Sequence, residues 1–168
     1  MTIAWIIIGM VTAQRLGEVV FARNNTLNLI AKGAQEFGNR HYFLFPLLHS
    51  TWLLSLAIWV GVFEKDFIIW PCLYAYLGLQ CVRVWIMVSL GHRWTTRIIV
   101  LKNTPLVKRG PYRFCKHPNY ILVGAEIALL PIAFGAWQIA IIFSILNIGL
   151  LFHRVRIENI ALSYVNKK

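Results

Sequence analysis

An all-α integral-membrane fold of about five spans is what this sequence predicts, on three observations. The 168 residues are 58% hydrophobic and only 14% charged, whereas soluble domains carry about a quarter charged residues. The apolar residues gather into five stretches, at residues 2–22, 41–63, 67–90, 120–134 and 137–152. Finally, the cations are sorted by connection. Arg23, Lys32 and Arg40 follow the first stretch, and Arg93, Arg97, Lys102, Lys108, Arg109, Arg113 and Lys116 follow the third. Arg154, Arg156, Lys167 and Lys168 follow the fifth, while the other side holds only Lys65. That asymmetry predicts an outside amino terminus, with the long basic loop and the carboxy terminus in the cytoplasm of a multi-pass cell-membrane protein.

The first stretch begins Met1-Thr2-Ile3-Ala4-Trp5 and lacks the positive start of a signal peptide, so it is read as a mature helix. It carries Gln14, Arg15 and Glu18. Arg15 and Glu18 lie three apart on one helix face and can pair. Charges inside a span face the protein interior, so the two form either a packing ion pair or part of a polar pocket. Asn24-Asn25-Thr26 matches a glycosylation sequon, but on this topology it faces the cytoplasm and is read as a chance match. The second stretch opens with His41 and Tyr42 and holds His49. His41 and His49, eight apart, fall near one helix face and are candidate substrate-site residues beside Arg15 and Glu18. In the third stretch, Arg83 is expected to snorkel to the cytoplasmic edge. Cys72 and Cys81 are read as small core residues. Trp52, Trp59, Trp70, Trp85 and Trp94 are read as belt or packing residues.

Residues 91–116 form a long connection whose Thr104-Pro105 and Gly110-Pro111 breaks argue against a continuous helix. Long ordered loops in compact proteins are usually functional. The loop ends in Tyr112, His117, Pro118, Asn119 and Tyr120. Pro118 suits the first turn of a helix, and the free N–H groups there suit an anionic group. The fourth and fifth stretches are short and are separated only by Gly135-Ala136, so they are expected to form a short helical hairpin. That hairpin returns the tail, with Arg154 and Glu158 four apart on one face, to the side where His117 begins the fourth stretch. In the tail, Ile157, Ile160, Ala161 and Tyr164 are placed to pack. The net charge of +11 is assigned to basic loops facing anionic lipid headgroups. No free basic domain points to nucleic acid, and no Cys/His cluster points to a metal.

Taken together, Gly110-Pro111-Tyr112, Lys116-His117-Pro118-Asn119-Tyr120 and the tail from Arg154 through Glu158 to Leu162 resemble the isoprenylcysteine carboxyl methyltransferase family over about residues 97–162. Lys116 stands where the family has arginine, keeping the charge without the planar fork. Asn159 stands where it has a second glutamate. Arg15-Leu16-Gly17-Glu18 and His41-Tyr42 are similar to bacterial members, some associated with methylating alkylpyrones. The resemblance implies a single methyltransferase domain over residues 1–168 with S-adenosylmethionine as cofactor, held in a cytoplasm-facing pocket with a lipid-side opening. It implies cofactor contacts from Thr104, Pro105, Leu106, Val107, Tyr112, His117, Pro118, Asn119, Tyr120 and Glu158, with Arg154 beside the reacting oxygen. The acceptor expected is lipophilic with an acidic oxygen: the carboxylate of a prenylcysteine-like group, or the enol or phenol of an alkylpyrone-like lipid. A carboxylate or acidic enol is already anionic near neutral pH and needs little base, which suits a site with a cation and no obvious base. Membrane lipids are the other expected partner.

Two other classes stand against it. Sterol and steroid reductases share the His-Pro-Asn-Tyr helix start, here followed by Glu126, and use NADPH. The short chain and the Arg154/Glu158 tail favour the methyltransferase. A phospholipid methyltransferase differs from it only in substrate. A non-catalytic membrane scaffold leaves the intramembrane charges and the His117 cluster without a shared purpose.

Overall fold

The computed structural model describes residues 2–63, 68–102 and 104–166. Among these residues apolar sequence dictates five α-helices: α1 (Thr2–Ala31), α2 (Leu44–Phe63), α3 (Trp70–Leu90), α4 (Pro118–Ala133) and α5 (Trp137–Asn166). α1, α2, α3 and α5 are long and apolar enough to cross a membrane. α4 has 16 residues, about 24 Å at 1.5 Å per residue, and is shorter than a full span. The helices present Leu16, Val20, Leu54, Ile58, Val88, Ile145 and Phe152 outward, each at least 56% exposed. An apolar girdle of that extent calls for lipid.

The α4–α5 hairpin forms as expected. Gly135 N–H donates to the Ile132 carbonyl and Ala136 N–H to that of Pro131, which satisfies carbonyls orphaned at the helix end. The same end of the bundle is tied by Ile69 N–H to the Ala133 carbonyl and by Trp59 Nε1 to the Phe134 carbonyl. The basic connections gather at the opposite end. There β1 (Gln35–Phe37) and β2 (Ile98–Val100) pair antiparallel, with Glu36 opposite Ile99. The loop after α3 contains 3₁₀ turns at Gly91–Arg93 and Gly110–Arg113, so it is not one helix.

Several expectations are corrected. α1 runs to Ala31, beyond the expected end at Ala22. Its polar continuation is held by protein: buried Asn25 donates to the carbonyls of Gly91 and Trp94. The sequon therefore lies in helix, with Thr26 buried. α5 runs to Asn166, well past Phe152, so the hairpin has one short arm and one of 30 residues. α2 begins at Leu44, after a 3₁₀ turn at Asn39–His41, so His41 and His49 do not share a helix face. Arg83 does not snorkel. It is 2% exposed and paired inside the bundle. Cys81 is exposed and Cys72 half-buried, because their helix positions face outward. Ile160 is exposed while Ala161 is fully buried. The Tyr164 side chain and the Lys65 connection lie outside the described residues.

Along α1, α3 and α4 the core is layered in one order. An apolar cluster around Val11, Tyr76, Ile127 and Leu130 comes first. A polar layer follows, with Arg15 and Glu18 on α1, Arg83 on α3 and Glu126 on α4. A second apolar cluster of Ala22, Ile86, Trp94 and Leu122, with Tyr112 packed against it, adjoins the basic end.

Candidate functional site

The polar layer is a closed ring of charge. Arg15 donates to Glu18 at 2.9 Å and to Glu126 at 2.8 Å. Arg83 donates to Glu18 at 3.0 Å and clasps Glu126 through Nε and Nη2. Gln14 and Gln80 extend it: Gln14 donates to Glu18 and Gln80, and Gln80 to Glu126. Two arginines and two carboxylates sum to zero, so no net charge is left in the apolar interior. Of the candidate substrate residues, Arg15 and Glu18 therefore belong to this layer. His49 lies 2.8 Å through Nδ1 from the Phe45 carbonyl oxygen of its own helix, and His41 lies outside the layer.

A second cluster forms at the basic end, where the α4 start meets α5. Pro118 occupies the first turn of α4, and the preceding His117 makes no side-chain cap; Tyr120 and Ile121 N–H bond the His117 carbonyl, leaving the Asn119 N–H of that turn for another partner. The His117 and Tyr120 rings stack in parallel at 5.0 Å. Glu158 Oε2 accepts from Tyr120 Oη at 2.5 Å and lies 3.6 Å from His117 Nδ1. Arg154, one turn earlier on α5, donates from Nε to Tyr120 Oη at 3.0 Å and from Nη2 to the Thr96 carbonyl at 2.7 Å. Its guanidinium lies over the Phe45 ring. Asn119 Oδ1 is buried and lacks a hydrogen-bond partner among the described residues. Burial pushes the Tyr112 phenol up, and the nearby Glu158 carboxylate adds to that rise, so Tyr112 is a neutral hydroxyl.

The structure thus brings together Tyr112, His117, Pro118, Asn119, Tyr120, Arg154 and Glu158. Thr104, Pro105 and Leu106 are exposed. Thr104 Oγ1 donates to the Leu101 carbonyl, and Arg93 donates to that of Pro105 at 2.7 Å. Val107 is half-buried in the same loop. Gly110 anchors it. Its φ of +58° is left-handed, and an added Cβ would overlap Ser89 Oγ, while Arg109 Nε bonds the Ser89 carbonyl.

Arg154 also lines a small, open cleft between the α2 start, the two-stranded sheet and α5. His41 meets His153 there edge to face, with ring centroids 4.7 Å apart. Arg97 pairs with Glu36 and lies over the Tyr42 ring. The sequence reading did not single out Glu36, Phe45, Thr96, Arg97 or His153 as site-lining. Glu36, Thr96 and Arg97 arrive at or beside the non-local pairing of β1 with β2, for which two three-residue strands carry almost no local signal, while Phe45 on α2 and His153 on α5 come with their helices.

This fold and this cluster define a class: a multi-pass helical membrane protein with a polar, aromatic-lined site where a short helix begins against its hairpin partner. The family model for isoprenylcysteine carboxyl methyltransferases matches residues 72–164, from the start of α3 to the α5 tail. The chain belongs to that family, whose members are membrane methyltransferases. It is 39% identical over 166 residues to the uncharacterized protein YpbQ of Bacillus subtilis (strain 168), covering 98% of this chain and 99% of the relative. No solved structure matches the chain.

Proposed function

We propose that the chain is an S-adenosylmethionine-dependent O-methyltransferase acting on a lipophilic acceptor with an acidic oxygen, either a prenylcysteine-like carboxylate or the enol or phenol of an alkylpyrone-like lipid. The observation that carries this reading is the convergence of Arg154, Tyr120, His117 and Glu158 at the start of α4. The residues present fit the cofactor. Glu158 suits the ribose hydroxyls, the uncapped α4 start suits its carboxylate, and the unpartnered Asn119 Oδ1 suits the adenine amine. Tyr112, His117 and Tyr120 offer apolar ring surface. When bound, the cofactor supplies an electrophilic methyl on sulfonium sulfur.

The protein's part is then positioning. Tyr120 and the Thr96 carbonyl hold the Arg154 guanidinium in one orientation, and Phe45 covers one of its faces. A guanidinium fixed in this way orients an acceptor oxyanion by charge-assisted hydrogen bonds without protonating it. Glu126, the residue that favoured a reductase, is engaged in the polar layer with Arg15 and Arg83. We place the site and carboxy terminus on the cytoplasmic face of the cell membrane, with the amino terminus outside, from the loop charges.

Paired variants test the roles. Arg154→Ala is expected to abolish turnover while S-adenosylhomocysteine still binds within a few-fold. Glu158→Ala is expected to weaken that binding at least about tenfold, a loss of about 1.4 kcal/mol. Loss of cofactor binding in a folded Arg154→Ala protein would reassign Arg154 to the cofactor.

A further inference from the structure

The cleft beside Arg154 has a lining that methyl transfer to a ready-made anion does not need. α5 presents two adjacent stripes. Arg154 and Glu158 face the α4 start, whereas His153 and Ile157 line the cleft. The charged and titratable groups facing His153 are His41 and Tyr42 ahead of α2, Glu36 on β1, Arg97 beside β2, and Arg154 on α5 itself. Glu36 and Arg97 pair at 2.9 Å, and the two imidazoles are the other proton acceptors lining the cleft beside Arg154, whereas Glu158 faces the α4 start. Tyr42, Phe45 and Ile157 give the same cleft flat, apolar walls. Phe43 and Phe152, next in sequence to the cleft residues Tyr42 and His153, are 59% and 74% exposed and offer apolar surface to a lipid tail.

We propose that His153, backed by His41, is the general base that takes the proton of a phenol-type hydroxyl acceptor, with Arg154 orienting that acceptor's oxygen where the cleft adjoins the cofactor cluster. The inference rests on the methyltransferase reading. In the step, the acceptor O–H bond breaks and its proton passes to an imidazole nitrogen. The oxygen's electron pair forms the O–CH₃ bond as the C–S bond breaks, its electrons staying on sulfur to give neutral S-adenosylhomocysteine. The proton leaves His153 to bulk water at the exposed His41 edge. A carboxylate acceptor carries no such proton. A phenol, with a pKa near 10, does.

The test uses the full chain in detergent with two probes, a long-chain 4-alkylphenol and N-acetyl-S-farnesylcysteine. His153→Gln and His41→Gln are each compared with wild type. S-adenosylhomocysteine affinity, read by calorimetry, is expected to stay within about threefold, which also reports folding. For His153→Gln, kcat on the alkylphenol is expected to fall about 10²-fold or more near neutral pH and to recover as pH rises toward about 10 and the probe ionises unaided. His41→Gln is expected to show a smaller loss of the same kind. The phenolate absorbance of the probe bound with S-adenosylhomocysteine should fall in both variants. Turnover of the carboxylate, if any, should not change. An unchanged pH profile in His153→Gln, equal losses on both probes, or a wild-type protein that binds S-adenosylhomocysteine yet ignores the phenol would each overturn the proposal. A folded wild type that does not bind S-adenosylhomocysteine would instead remove the methyltransferase reading beneath it.

Discussion

At the residue scale, the sharpest contrast is between two ion pairs. Glu126 is 1% exposed and accepts from Arg15, Gln80 and Arg83. Removing it leaves buried cations uncompensated, which typically costs about 3–5 kcal/mol. Glu36, paired with the exposed Arg97, belongs to the class worth about 0–1 kcal/mol. Thermal unfolding in detergent should therefore show a large drop in Tm for Glu126→Ala and little change for Glu36→Ala. Equal shifts would mean that the charge ring is not a structural keystone. The ring was half legible in the sequence. Arg15 and Glu18 are three apart and announce themselves, but Arg83 reads as a snorkelling cation because its partners sit on other helices. The available signal was arithmetic: four intramembrane charges, two of each sign.

At the element scale, the α4 start depends on the loop that delivers it. Gly110 is left-handed and pressed against Ser89 on α3, and Arg109 is tied to the Ser89 carbonyl. Gly110→Ala combines backbone strain of about 1–3 kcal/mol with a steric overlap. It is expected to lower Tm and to weaken S-adenosylhomocysteine binding together. A variant with unchanged affinity would show that the 3₁₀ turn does not position the cofactor cluster. The helices themselves were legible from hydropathy, yet their ends were not. α1 and α5 outrun their apolar stretches because Asn25, Arg154 and Glu158 find protein partners. Hydropathy reports lipid contact, not hydrogen bonding supplied by another segment. The site cluster was legible for a different reason: His117, Tyr120, Arg154 and Glu158 carry spacing that a helical hairpin brings together. The cleft walls from β1 and β2 depend on contacts some sixty residues apart in sequence, such as Arg97 with Glu36, and no local pattern announces them.

At the scale of the whole molecule, charge and hydropathy sort the chain into an apolar girdle and one basic end that carries the site. In a chain with Cys72, Cys81 and Cys115 replaced, Lys102→Cys is expected to react with a membrane-impermeant maleimide only after permeabilisation, and Glu64→Cys in intact cells. The reverse pattern would invert the proposed orientation. The measurement that bears most directly on the central claim is calorimetric titration of the folded, detergent-purified protein with S-adenosylhomocysteine, alongside NADPH. The account predicts saturable binding of S-adenosylhomocysteine, weakened by Glu158→Ala, and none of NADPH. Binding of NADPH alone would contradict it in favour of a reductase, and binding of neither would leave the cluster at the α4 start a structural feature of a scaffold.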